Sequence, residues 1–116
     1  MYTDSIGHLP DRVTRAAWLP LWDEFHLNVD FAGHVHNYES SEPIRGGQVT
    51  DDAHGTRFIT FGGAGAPLYR FRERQPWAHA RESTHGYGML TVSRAAMRWE
   101  AHREDGSLID TIDIPR

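Results

Sequence analysis

The sequence predicts an α/β (α+β) fold on three observations. A helical apolar pattern over 11–25 runs into a short β-prone segment at 29–33. A second β-prone segment at 57–61 ends in a run of glycines, and the last third of the chain reads as three strands joined by turns. A helix followed directly by a short strand suits an α/β layer, and consecutive strands suit an antiparallel sheet.

In the first element, Val13, Ala16, Ala17, Leu21, Trp22 and Phe25 recur at three- and four-residue spacings, one face of an amphipathic helix that Pro20 should bend or divide in two. Val29-Asp30-Phe31-Ala32-Gly33 follows as a short buried strand whose glycine marks a sharp exit or a close backbone approach. Residues 40–55 are polar, with Pro43, Gly46, Gly47 and the pair Asp51-Asp52, and are expected to form a surface loop. Arg57-Phe58-Ile59-Thr60-Phe61 is the next strand, and with 29–33 it is expected to be central in its sheet. Residues 69–85 mix charges and aromatics without a period and read as a long irregular loop. Strand-like runs at 88–93, 97–103 and 108–114 close the chain, the last two joined through Glu104-Asp105-Gly106, a strong hairpin signal.

Composition narrows the function. With 116 residues, 39% apolar and 24% charged, and with four Trp and five Phe, the chain is globular and expected to be one domain over 1–116. A formal net charge of -4 offers no general attraction to nucleic acid or anionic lipid, so neither is expected as a partner; a phosphate-bearing substrate would need a local device such as metal ions. No apolar run is long enough to span a bilayer, and Met1-Tyr2-Thr3-Asp4-Ser5 lacks the features of a signal peptide. The absence of cysteine excludes disulfides and thiolate metal sites, leaving the eight histidines as the notable ligand type.

Gly33-His34-Val35-His36 sits just past a predicted strand, where open α/β sheets place their ligands. In extended backbone, residues two apart point the same way, so both imidazoles are expected to face one site, and neutral imidazole suits zinc, iron and related ions. The pair alone is also compatible with two ordinary loop histidines. Glu39 and Glu42 lie at the wrong distances for a cupin, and Asn37-Tyr38 stands where a metallo-β-lactamase-like site would want Asp-His.

The run from Val29 to Glu39, Val-Asp-Phe-Ala-Gly-His-Val-His-Asn-Tyr-Glu, resembles the Gly-His-x-His block of purple acid phosphatases and related calcineurin-like metallophosphoesterases. Tyr2-Thr3-Asp4-Ser5-Ile6-Gly7-His8 is similar to the segment after the family's His-x-Pro motif, and the following helix, with Leu19-Pro20-Leu21, has a counterpart there. The stretch from Phe58 to Tyr69, that from His85 to Val92 and the closing Asp105-Gly106-Ser107-Leu108-Ile109-Asp110 resemble the family's glycine-rich strand end and last strands.

This resemblance implies part of a two-sheet β-sandwich flanked by helices, with a mixed sheet and antiparallel carboxyl-terminal strands, as the carboxyl-terminal part of a metallophosphoesterase domain. It implies hydrolysis of a small phosphate ester by a centre of two divalent or trivalent metal ions (iron, zinc or manganese). His34 and His36 would bind one ion each, and His8 would contact the phosphoryl group or protonate the leaving oxygen. Tyr38 and Glu39 match the motif's tail and are assigned to packing and hydrogen bonding.

The family's Asp-x-His, Gly-Asp-x-x-Asp, Asn-His and His-x-Pro motifs have no counterpart here, so the missing amino-terminal half of the domain is an expected partner and the chain alone is expected to be inactive. The rival reading is a non-catalytic β-rich binding or interaction module. Asp51-Asp52 reads as a solvated loop and Asp110 as a strand-end residue, neither replacing the missing carboxylates. Gly62-Gly63-Ala64-Gly65 fits a tight backbone turn rather than a Walker loop or dinucleotide fingerprint. His26, His54, His79 and His102 are expected at the surface, His85 carries no assigned role, and Trp77 and Arg81 are candidates for shaping substrate access.

Overall fold

The computed structural model describes residues 2–115, so Met1, in the opening segment read above, lies outside it. Its first helix, α1 (Arg12–Glu24), starts at Asp11, whose carboxylate accepts from the Thr14 amide at 2.9 Å and from the Thr14 hydroxyl at 2.6 Å. Pro20 does not divide it; the helix runs through, with Leu19 and Trp22 on either side of the proline packed against the body of the protein. Only part of the expected apolar stripe packs: Trp22 does, while Val13 and Phe25 are 83% and 75% exposed.

Four strands form a mixed sheet in the order β1-β5-β2-β6, made of β1 (Val29–Ala32), β2 (Tyr38–Ser41), β5 (Arg57–Phe61) and β6 (Ala78–Glu82). The pair β1/β5 is parallel and β2 is antiparallel to both of its neighbours. Among the described strands β1 is therefore an edge rather than a central strand, with Phe31 exposed. Strand β6 lies inside the stretch expected to be irregular. The short hairpin of β3 (Ile44–Arg45) and β4 (Gln48–Val49) turns through Gly46 and Gly47, whose φ values of 56° and 78° suit a type I′ turn.

The segment 40–55 is thus no simple surface loop: Ser40, Ser41 and Ile44 are buried. The second sheet is antiparallel, β7 (Gly86–Val92), β8 (Met97–Arg103) and β9 (Leu108–Ile114) in that order, with Gly106 at φ 84° in the β8–β9 turn.

The two sheets pack face to face. Tyr38 and Ile59 of the mixed sheet meet Trp99, Ala101, Ile112 and Ile114 of the antiparallel sheet in one buried cluster. Side chains alternate along β5, so Phe58 faces the other way into a second cluster with Tyr2 and Ile44, covered by Leu19, Trp22 and Trp77. Trp77, a candidate for shaping substrate access, is instead half-buried against this cluster, edge-on to Tyr2 at 5.5 Å.

Asp110 is inside β9, not at its end, and its carboxylate accepts from the Tyr38 and Ser40 hydroxyls, both at 2.7 Å. Burial and that neighbouring carboxylate push the Tyr38 phenol well above its ordinary range. This sandwich with one helix on its outer face is the architecture expected from the sequence.

Candidate functional site

The site is built where β1 and β5 end and the chain turns. The Gly33–Asn37 segment is not extended: the Val35 amide donates to Gly33 O at 2.8 Å and the Asn37 amide to Val35 O at 2.9 Å, two successive three-residue turns. His34 sits at the centre of the first with φ 71°, a strained value for a residue with a side chain. The alternation expected to aim both imidazoles at one site therefore fails at His34. Gly62 closes the base of the turn, since a Cβ there would stand 2.4 Å from Val35 O, and its amide donates to Val35 O at 3.1 Å. That is the tight backbone approach expected of the glycine-rich run.

His8 and His34, 26 residues apart, meet Nε2 to Nε2 at 2.6 Å with rings 4.3 Å apart. His8 Nδ1 lies 3.3 Å from Leu9 O, and a carbonyl can only accept, so Nδ1 carries the hydrogen. In the neutral pair His34 Nε2–H then donates to His8 Nε2. Both line one cavity of about 320 Å³, with Thr3, Asp11 and Thr60 on its walls.

His36 points elsewhere. Its Nδ1 donates to Pro67 O at 3.0 Å, and its ring stacks on Tyr69 with centroids 4.5 Å apart and planes 16° from parallel. The bare ring nitrogen it presents is Nε2.

Behind the site, Glu39 clamps the amino-terminal segment to β2: its carboxylate accepts from the Thr3 hydroxyl at 2.5 Å and the Asp4 amide at 2.9 Å. Arg81, a candidate for shaping substrate access in a stretch expected to be irregular, is in β6 and pairs with buried Asp4 at 2.6 Å. Glu39 is therefore a packing and hydrogen-bonding residue, as its place in the motif suggests. Burial pushes its carboxyl up to about 7, opposed by the two bonds it accepts. A carboxyl raised above its unfolded value of 4.5 stabilises the fold most below that value, and the contribution is lost as pH rises through about 7. Unfolding midpoints of wild type and Glu39→Gln should accordingly diverge with pH between 4.5 and 7; a constant difference would contradict it.

The other histidines are not partnerless. His26 meets Arg45, and His54 meets Asp51 at 2.6 Å, both exposed. His79 and His102 are half-buried, His79 on Glu42 at 3.0 Å and His102 stacked on Tyr87. His85 Nε2 donates to Ala66 O, and Asp52 pairs with Arg57 through two bonds.

For metal binding, the bare nitrogens are Nε2 of His36 and, in the neutral pair, Nδ1 of His34, whose Nε2–H is engaged by His8. Among the described residues no group of three or more His, Asp or Glu is arranged to hold an ion. A stable zinc site wants three or four protein ligands, so these residues fit only part of a metal centre.

Residues 55–111 match the family described as iron/zinc purple acid phosphatase-like protein C. The chain is 33% identical over 121 residues to a protein of Arabidopsis thaliana named "probable inactive purple acid phosphatase 27", covering 95% of this chain and 20% of that protein. It is 29% identical to a protein of Hordeum vulgare named "nucleotide pyrophosphatase/phosphodiesterase", covering 99% of this chain and 34% of the other. The structure of a purple acid phosphatase from yellow lupin seeds superposes on the whole chain with a TM-score of 0.91 at 25% identity, over 23% of that protein. The chain thus spans about a fifth to a third of the length of these relatives.

Proposed function

Because this chain belongs to the purple acid phosphatase family, as its carboxyl-terminal part, we propose that it supplies the Gly-His-x-His share of a two-metal phosphoric ester hydrolase. The observation that carries the reading is the meeting of His8 with His34 at 2.6 Å across 26 residues, beside a His36 whose Nε2 is left bare. His34 and His36 would each give one nitrogen to an ion of iron, zinc or manganese. Such a centre, when bound, supplies an activated water and neutralises phosphoryl charge.

The chain's own contribution beyond ligation is proton handling. His8 holds its Nδ1 hydrogen on Leu9 O and turns Nε2 toward the cavity, where a protonated imidazole can give its hydrogen to a leaving oxygen. The substrate would be a small phosphate ester, and the remaining carboxylate ligands would come from the amino-terminal half of the domain. The second reading, a non-catalytic interaction module, is favoured by the word "inactive" in the name of the Arabidopsis relative.

The test is to titrate the purified chain with zinc and manganese and assay it with a nitrophenyl phosphate. Weak metal binding and no turnover are expected. Robust metal-dependent turnover would contradict the shared-centre reading and place a complete ligand set within these residues.

A further inference from the structure

We propose that Tyr69 is a positioning residue for His36, and that the absence of a side chain at Gly7 is what admits the Tyr69 ring to that place. The inference rests on the reading of His36 as a ligand, but its first readout does not.

Three segments far apart in sequence are locked around this one ring. Tyr69 lies against His36 at 4.5 Å between centroids and 16° between planes, and the Tyr69 amide donates to His36 O at 3.0 Å, so backbone and ring hold the same residue. The imidazole is fixed from another side by Pro67 O, which takes the Nδ1 hydrogen and leaves Nε2 outward. Against the tyrosine ring also lies Gly7, where a Cβ would fall 2.4 Å from both Cγ and Cδ1 of Tyr69, closer than such atoms ever approach. The register that brings them together is set by the Ile6 amide donating to Arg70 O at 2.7 Å and by the antiparallel bridge Ser5–Phe71. The Ser83 hydroxyl donates to Tyr69 O at 2.7 Å and anchors the tyrosine backbone from β6's side.

The arrangement has a chemical consequence. An imidazole hydrogen-bonded through one nitrogen can still swing about that bond, and a flat ring pressed on its face removes that freedom. Tyr69 thus fixes the ring plane of His36, while Gly7, the residue before His8, couples the His8 turn to the same stack. Any side chain at position 7 would displace the tyrosine and disturb both histidines of the site together.

The test uses the whole chain with isotope-labelled histidines, followed by NMR with and without zinc. Wild type and Tyr69→Phe should share a His36 ring-proton resonance shielded by the facing ring; Tyr69→Leu and Gly7→Ala should lose that shielding. Zinc affinity should fall roughly 10-fold in Tyr69→Leu and Gly7→Ala, and recover in Tyr69→Phe. A tyrosine that serves only packing would lower the unfolding midpoint without moving the His36 signal, and an unchanged signal in Tyr69→Leu overturns the proposal. A His36→Ala chain that binds zinc as wild type does contradicts the ligand assignment instead, and the ring signal alone then decides whether Tyr69 orients His36.

Discussion

In a protein where the rest of the metal centre is present, His34→Ala or His36→Ala is expected to lower metal occupancy and depress hydrolysis of every phosphate ester together. Each removes a nitrogen from a set that is already short, since among the described residues no group of three or more His, Asp or Glu is arranged to hold an ion. His8→Ala is expected to behave differently. A general acid matters most when the leaving oxygen is strongly basic, so alkyl phosphates should slow by on the order of 10²-fold or more while nitrophenyl phosphate slows much less and metal content stays near normal. A leaving-group series on the three variants, with metal measured alongside, separates these roles. Equal slowing across the series would make His8 a phosphoryl-positioning group. Loss of metal in His8→Ala would make it a ligand, which its 2.6 Å approach to His34 makes a sharp alternative.

The second large effect is on stability. Trp99→Ala is expected to destabilise the fold by about 3–5 kcal/mol, the range for truncating a buried aromatic core residue. Its ring is 7% exposed and lies over Gly88, where a Cβ would stand only 1.8 Å from Cη2, so the indole fills space that no other side chain can enter. It also meets Phe31 at 4.8 Å, and its Nε1 donates to Tyr38 Oη at 3.1 Å, joining the two sheets by a polar as well as an apolar contact. Denaturant unfolding of the variant checks this, and a loss below about 1 kcal/mol would contradict a core organised around Trp99.

The elements that could be read in advance are those whose signals are local. The Asp-Gly hairpin between β8 and β9 and the strand ending in Gly62-Gly63 carry their own turn chemistry, and the helix over 11–25 carries its own three- and four-residue apolar spacing. What escaped the sequence is set by distant partners. Ser40 falls in the stretch read as a surface loop, yet it is buried because Asp110, 70 residues on, accepts from its hydroxyl, and Glu39, read as a packing and hydrogen-bonding residue, finds its partner in Thr3, 36 residues back. Strand β6 carries charged and polar side chains because it lies at an edge of the mixed sheet, so it lacks the apolar alternation that marks a half-buried strand.

The apolar stripe of α1 was visible, but which part of it packs is decided by where Tyr2, Ile44 and Phe58 stand. In the candidate site, the motifs singled out His34, His36 and His8. Their aim was not legible, because the positive φ at His34 turns one imidazole to His8 and leaves the other against Tyr69. Tyr69 had no signal of its own beyond its place after the glycine-rich run.

The most direct measurement of the central claim is anomalous diffraction at the iron and zinc edges from crystals of the metal-loaded protein that includes the amino-terminal half of the domain. The account predicts two anomalous peaks, one within about 2.0–2.1 Å of a nitrogen of His34 and the other within that distance of a nitrogen of His36, with His8 bound to neither. Peaks that leave either His34 or His36 unligated, or that take His8 as a ligand, would contradict it.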